Sequence, residues 1–460
     1  MSKVELLNDP SGIKTKLNER DSRGLRELLE SMPEADIAEA CSELSLKENI
    51  VLLRLISRER RPILFAYYEQ KIQETLLHEL PELVISSIVN GMESDDRTRM
   101  LEGLSPEARH EVMLKLSPDQ HKIAWQLLNY PEDSVGRLMN TDFLAIRKSM
   151  TVQEALSYIR WRYHQSEKNL EWIFVTNDKG VYEGELSPAA LITIDPLTKK
   201  IEEEMGQAPQ TLNVTDEAVL AVDYFRKYDV THYPVTDSNG KLVGYVTADD
   251  VFDVAEDEAT EDIQQFGGVA NLEDSYFQTP LFTLMRKRAG WLSILFVGEL
   301  FTGSALKHYD ETIASMGFLI YFVPLILSSG GNSGSQAASL IIRGIAVREM
   351  QFSDWRRVFH RESITGICLG LVLGVMGAIR AWTWGYPWVV SAIVSITLVG
   401  VVCFGAVAGS MLPFMLKRVN VDPAVSSSPF IASLVDLFGI LIFVNVAIYM
   451  TNLVGLKGLP

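Results

Sequence analysis

A single carboxylate sits in the middle of an apolar run. The window Pro429–Met450 reads PFIASLVDLFGILIFVNVAIYM, and Asp436 is its one charge. At about 1.5 Å per helical residue this window can cross a bilayer core of roughly 30 Å. A carboxylate at that depth must face a bundle interior, a partner or a water-filled path. Ser428, Ala432 and Asp436 recur every fourth residue, so they form one helical stripe on which small side chains leave room beside the acid. Two chemistries fit: a protonated Asp that hydrogen-bonds two helices together, or a stop on a cation's path. An earlier apolar run carries a second acid, Glu299.

The other concentration of acid is in a soluble stretch. Eight of the fourteen residues 249–262 are acidic: Asp249, Asp250, Asp253, Glu256, Asp257, Glu258, Glu261 and Asp262. No Lys or Arg occurs between Lys241 and Arg286. Like charges three and four apart destabilise a helix, and Asp250, Asp253, Asp257 and Glu261 fall along one face. The plainer reading is a solvated acidic face. Without a basic residue nearby in the sequence, divalent-cation binding is the sharper one. Hard carboxylate oxygens suit magnesium or calcium, and no soft ligand competes. The MESDDR turn (Met92–Arg97) is a third, smaller acidic spot that reads first as a helix cap.

The elements that must position these groups divide the chain. It has 460 residues and a net charge of −17. Residues 1–285 are acidic and polar, whereas 286–460 are mostly apolar runs, so a large soluble region precedes a membrane domain. The acidic excess argues against nucleic acid and favours cations as partners. Cys41, Cys368 and Cys403 are scattered, which indicates neither a disulfide framework nor a zinc site. MSKVELLNDP lacks the pattern of a signal peptide, so the N-terminal half is expected in the cytosol. Residues 1–135 carry helical spacing only. Ser105-Pro106-Glu107 and Ser117-Pro118-Asp119 each open a helix with a cap and a first-turn proline, the mark of a small superhelical stack.

Residues 136–200 and 201–262 each combine a helix, an apolar strand and a turn. In the second, Thr215-Asp216-Glu217 caps a helix to Tyr228, and two strands flank Ser238-Asn239-Gly240. A connecting helix is expected within 263–285, roughly Leu272–Met285.

Five apolar spans follow within 286–460: about 289–306, 313–342, 363–384, 387–416 and 429–451. Ten Lys and Arg on one side, among them Arg286, Lys287, Arg288 and Arg348, face three on the other, Lys307, Arg380 and Lys457. That bias puts the N-terminus in the cytosol and the C-terminus outside. The second span is long and contains Ser328-Ser-Gly-Gly-Asn-Ser-Gly-Ser-Gln336. Its glycines are expected to break the helix and expose carbonyls, which a membrane tolerates where the backbone lines a cavity. Close helix packing is the plainer alternative.

YPVTDSNGKLVGYVTADDV resembles a cystathionine-β-synthase (CBS) regulatory module, and EWIFVTNDKGVYEGELSPAAL is a looser copy. That resemblance implies a ligand sensor, commonly for adenine nucleotides. GGNSGSQAASLIIRGIA (330–346), DWRRVF (354–359), the run Met411–Ala424 and the helix through Asp436 resemble the MgtE family of magnesium channels, as does VTADDVFDVAEDEATEDI (246–263). The likeness covers nearly the whole chain. It implies a multidomain homodimer: a helical N-terminal superhelix, tandem α+β CBS modules, a connecting plug helix, and an all-α pore domain of five helices per subunit. On this resemblance Asp436 binds a hydrated magnesium ion on the two-fold axis. Ala432, Gly331 and Asn332 contribute carbonyls, and Asp422 stands at the cytosolic mouth. Ser428 departs from the Asn that some members carry before the proline. In the sensor, Asp250, Asp253, Glu258, Glu261 and Asp262 match family acids that bind regulatory magnesium. Glu217 and Asp229 match more loosely, and Asp95 more loosely still.

The expected function is magnesium uptake across the cell membrane, closed by cytosolic magnesium. An ion-coupled magnesium or cobalt exchanger and a non-conducting membrane-anchored sensor are the alternatives. No nucleophile–base constellation stands out, so an enzyme is not expected. No ATP-hydrolysis motif occurs either, so membrane potential is the driving force. Two charges crossing about 100 mV gain roughly 4.6 kcal/mol.

Overall fold

The computed structural model describes residues 10–454 except 43, 167–171, 195–197, 207–209, 273–275, 278, 316, 348 and 420. Arg348 and Lys457 of the charge count, and four positions of the expected connecting helix, therefore lie outside the described residues. The chain forms two compact units, residues 1–256 and 257–460, and the break falls inside one helix.

The first unit begins with ten helices, α1 (Pro10–Glu19) to α10 (Pro118–Leu128), among them α8 (Ser94–Gly103). Their order follows a twelve-residue beat. Met32, Leu44, Ile56, Tyr68, Leu80, Met92, Leu104, Leu116 and Leu128 are all buried or packed against the core. Five of them, Met32, Ile56, Leu80, Met92 and Leu104, are extended residues that close a helix. Each helix thus ends by turning one apolar side chain inward, which starts the next helix at a fixed angle and winds a superhelix. The Ser-Pro-acid openings fall on the same beat. Ser117 caps α10 by accepting a hydrogen bond from the Gln120 amide, and Ser105 opens the preceding helix.

After α11 (Val135–Leu138), two three-stranded sheets share one plan. In the first, β1 (Ala145–Arg147) runs parallel to β2 (Ile173–Thr176), which is antiparallel to β3 (Tyr182–Leu186). In the second, β4 (Leu212–Asn213), β5 (His232–Thr236) and β6 (Leu242–Thr247) repeat that order. Register slips at Val175/Thr176 and again at Val235/Thr236. Both turns close alike. Asn177 Oδ1 accepts from the amides of Lys179 and Val181, and Asp237 Oδ1 from those of Asn239 and Lys241. Gly180 and Gly240 supply the positive φ. The two turns also pair with each other, Tyr182 N with Gly240 O and Leu242 N with Gly180 O. Helices α12 (Val152–Ser166), α13 (Pro188–Thr193), α14 (Ile201–Glu204) and α15 (Ala218–Tyr228) connect and cover the sheets. The acidic helix α16 (Ala248–Phe266) follows β6 directly.

The second unit holds α17 (Leu281–His308), α18 (Asp310–Ser315), α19 (Val323–Ala346), α20 (Trp355–Thr383), α21 (Trp388–Arg418) and α22 (Ser428–Val454). Four of these, α17, α20, α21 and α22, are long and apolar enough to cross a membrane. The fifth expected span is α19 with its polar middle.

Two expectations are corrected here. Among the described residues no separate helix occupies Leu272–Met285. The acidic helix ends at Phe266, Gly267 and Gly268 follow, and α17 runs without interruption from Leu281 into the first apolar span. The second span is also unbroken at its polar stretch, where a break was expected. Helix α19 continues through Ser328–Gln336, because the glycines serve contact with α21. A Cβ at Gly405 would fall 2.3 Å from the Gly330 carbonyl oxygen, and one at Gly409 would fall 2.1 Å from that of Gly334. One serine is satisfied across the same seam, where Ser333 donates to the Val402 carbonyl at 3.2 Å. Polar residues and glycines together make a tight helix crossing. Opposite faces of α21 are used, since Gly366, Gly370 and Gly374 bring α20 against it in the same way.

Candidate cation sites

Asp436 lies a third of the way along α22 and is half-buried. The nearest acid is Glu299 of α17, close enough for the two charges to interact. One turn earlier, Ala432 packs on Gly331, with 3.6 Å between a Cβ built on the glycine and Ala432. Asp436, Ala432 and Gly331 are therefore gathered at one crossing of α19 and α22. Helical geometry commits the carbonyls of Gly331 and Asn332 to the α19 ladder, so neither is freed by a break in the helix. The Asn332 side chain is exposed, with Nδ2 3.5 Å from Ser328 Oγ. Ser428 ties the two helices, its hydroxyl donating to Ser335 Oγ at 2.8 Å.

Before α22, the Asp422 carboxylate accepts from the Ala424 amide at 2.8 Å and so caps a short turn. Asp422 also faces the acidic helix. Burial raises the Asp262 carboxyl above its ordinary range, and the charges of Asp422 and Glu261 add to the rise. Glu261 accepts from Gln265 at 2.8 Å and from Asn271 at 3.2 Å. Glu258 is exposed on the same helix.

Within the first unit, α8 and the start of α16 meet. Asp95 and Asp250 are each 8 % exposed. Asp250 accepts from Thr247 Oγ1 at 2.7 Å, which holds it at the helix's first turn. Burial pushes its carboxyl up to about 6, with Asp249 and Asp96 adding to the rise. Asp95 is raised by burial and then by the Asp250 charge. Glu93 and Asp96 are raised for the same reason, burial first. Two guanidiniums reach this cluster, and the buried Arg97 acts on Asp95 and Asp142. Arg99 pairs with Asp253 and lies 3.7 Å from Asp250 Oδ1. The absence of a nearby basic residue, read along the sequence, is thus corrected in space. Arg99 and Asp142 were not singled out in the sequence, and Glu93 and Asp96 were read there only as part of a helix-capping turn. Helical spacing would have found Arg99, since it lies four residues after Asp95.

Glu217 and Asp229 are not brought to this cluster. Both are exposed and sit at opposite ends of α15, Glu217 before its first turn and Asp229 after its last. Asp229 adopts φ 51°, ψ 47°, the left-handed conformation that ends helices. Among the described residues no three of His, Cys, Asp or Glu converge in an arrangement that could hold a metal ion.

Comparison with known proteins places three segments. A family described as a divalent cation transporter matches residues 323–446. An MgtE intracellular N domain matches 32–133, and a CBS domain matches 201–257. The magnesium transporter MgtE of Thermus thermophilus is 35 % identical over 434 residues, covering 94 % of this chain and 96 % of that protein. The magnesium transporter MgtE of Bacillus subtilis is 26 % identical over 425 residues, covering 92 % and 93 %. Among solved structures, the cytosolic domain of the Mg2+ channel MgtE in complex with ATP aligns at TM-score 0.50 and 29 % identity. It covers 54 % of this chain and all of that one.

Proposed function

This chain belongs to the MgtE family, and from that premise we propose that it carries magnesium across the cell membrane as a homodimeric channel closed by cytosolic magnesium. The observation that carries the reading is Asp436, a lone carboxylate inside an apolar membrane helix and beside the small residues Ala432 and Gly331. In a two-fold dimer a second α22 would oppose a second Asp436. Two carboxylates at that depth attract a divalent ion, and magnesium sheds water so reluctantly that it is held with its hydration shell. A pore with few acids binds the ion and still releases it.

Closure rests on the acidic cluster. Without cations, Glu93, Asp95, Asp96, Asp249 and Asp250 repel one another, and Arg99 offsets only part of that charge. Divalent ions shift the equilibrium by their greater affinity for the compact arrangement. Several weak sites acting together give a cooperative response. The CBS modules are the place for an adenine nucleotide, in keeping with the ATP complex of the related cytosolic domain. The N-terminus is cytosolic and the C-terminus outside, as the Lys and Arg bias requires.

The test is patch-clamp of purified protein in liposomes with magnesium varied separately on each face. Single-channel currents that close as cytosolic magnesium rises support the reading. Flux that needs a sodium or proton gradient overturns the channel in favour of an exchanger.

A further inference from the structure

A cavity of about 800 Å³ opens beside the first turns of α17, and the end of α16 forms its far wall. Glu261, Asn271, Phe282, Arg286, Lys287 and Trp291 line it. Its charges are arranged unusually. Glu261 is oriented by two amides, Gln265 and Asn271, and has no cationic partner among the described residues. Arg286 has no carboxylate partner among the described residues. Lys287 donates to the Asn271 carbonyl. A carboxylate and a guanidinium thus face one cavity without pairing with each other. The depth is that of a lipid head. Arg286 and Lys287 immediately precede the apolar run of α17, and the Trp291 ring sits one turn further in, its Nε1 donating to Ser427 Oγ at 2.9 Å. Basic residues and tryptophan at that level mark the membrane–water boundary. Phe282 is 72 % exposed at the cavity edge, an apolar surface without cover from its own chain.

We propose that this cavity holds the head of a phospholipid with a primary ammonium group, a phosphoethanolamine head. The phosphodiester oxygens accept hydrogen bonds from Arg286 and Lys287, the arrangement in which charge-assisted bonds are strongest. The ammonium donates to Glu261, and the acyl chains leave past Phe282 into the bilayer. A phosphocholine head carries its charge without an N–H donor, and a phosphoglycerol head offers only neutral hydroxyls, so neither gives Glu261 a charge-assisted hydrogen bond. The inference does not depend on conduction, because its readout is lipid retention.

The experiment is native mass spectrometry of the full chain after exchange into detergent with phosphatidylethanolamine, phosphatidylglycerol or phosphatidylcholine of identical acyl chains. Phosphatidylethanolamine should be retained about ten-fold over phosphatidylcholine, the size of one charge-assisted hydrogen bond. Glu261→Gln should erase that preference and leave phosphatidylglycerol retention unchanged. Arg286→Gln should lower retention of phosphatidylethanolamine and phosphatidylglycerol alike, and Arg286→Lys should restore part of it. Preferences are ratios within one variant, so partial loss of folded protein does not disguise them. Equal retention of the three lipids by the unaltered chain overturns the proposal, as does a Glu261→Gln chain that keeps its preference. Free O-phosphoethanolamine competing as strongly as the lipid overturns the lipid assignment and leaves a soluble phosphoamine as the ligand.

Discussion

Where α8 meets α16, seven carboxylates, Glu93, Asp95, Asp96, Asp142, Asp249, Asp250 and Asp253, share the neighbourhood of two guanidiniums, Arg99 and the buried Arg97. On α22 one carboxylate, Asp436, has a single acidic neighbour among the described residues, Glu299. Both regions concentrate negative charge, but they tolerate loss differently. In the first, the field is a sum over many groups, so removing one acid changes it by a fraction. In the second, the field comes from one position, and nothing nearby on the helix replaces it. Crowding permits graded response, and isolation permits selectivity.

The comparison breaks most sharply at Asp436. Asp436→Ala should reduce magnesium uptake into proteoliposomes to the level of empty vesicles while the chain still folds and elutes as the unaltered protein does. Asp436→Asn keeps the shape, loses the charge, and should lose most of the flux. Wild-type flux from folded Asp436→Ala would falsify the pore assignment.

Next in size is the seam that supports that acid. Gly409→Ala sets a methyl against the Gly334 carbonyl, where no side chain can yield. The cost should reach about 3 kcal/mol, the upper end for overpacking, and appear as a lower thermal midpoint in detergent. Gly331→Ala is the contrast, because its methyl would meet Ala432 at an ordinary 3.6 Å. It should cost under about 1 kcal/mol.

The crowded region should respond to pH. Folding raises the Asp250 carboxyl to about 6 and Asp95 above its ordinary value, so between roughly pH 4 and 6 the folded form binds more protons than the unfolded one. Stability from these groups is therefore present at low pH and lost as pH rises through about 6. In magnesium-free buffer the thermal midpoint of residues 1–256 within the full chain should fall from pH 5.5 to 7.5. Magnesium should restore more at pH 7.5 than at 5.5, since protons occupy the same oxygens. Arg99→Gln should deepen the magnesium-free loss by about 1 kcal/mol, the scale of a half-exposed ion pair, and magnesium should recover it. A flat pH response, with Arg99→Gln neutral, would reduce the cluster to a solvated surface.

The smallest effect is expected outside the cluster. Asp229→Gly suits the left-handed residue after α15 and should stabilise the chain by a few tenths of a kcal/mol, up to about 1. Magnesium closure should be unaltered, because Asp229 then serves as a helix end. A shifted closure curve would return Asp229 to the cation sites.

What the sequence made legible was local. Ser238-Asn239-Gly240 announced its turn, and the Ser-Pro-acid openings announced the helical stack, because both depend on residues a few positions apart. Asp436 stood out because its surroundings are apolar over a full membrane thickness. The continuity of α19 was hidden. Gly330 and Gly334 look the same whether a helix breaks or packs, and the deciding partners, Gly405 and Gly409, are some seventy residues away. Arg99 was hidden for the same reason, being about 150 residues from the acids it meets. The first sheet's likeness to the second was faint in residue identity but exact in period: turn, slip and positive-φ glycine recur at an offset of sixty.

The glycine seam between α19 and α21 also has a mechanical meaning. Where side chains interdigitate, helices can slide by changing rotamers, a soft and nearly continuous adjustment. At Gly330–Gly405 and Gly334–Gly409 backbone rests on backbone, so there is no rotamer to change and shear meets hard repulsion at once. Gly334 is also pressed by Ile431, and Gly330 by Val435, which locks α22 to the same stack. The three helices behave as one stiff beam. Helix α17, mostly uncovered by its own chain and joined at Trp291 to Ser427, the residue before α22, is the compliant member. A load applied at the end of the acidic helix would therefore be taken up by bending at α17 before the beam itself deforms.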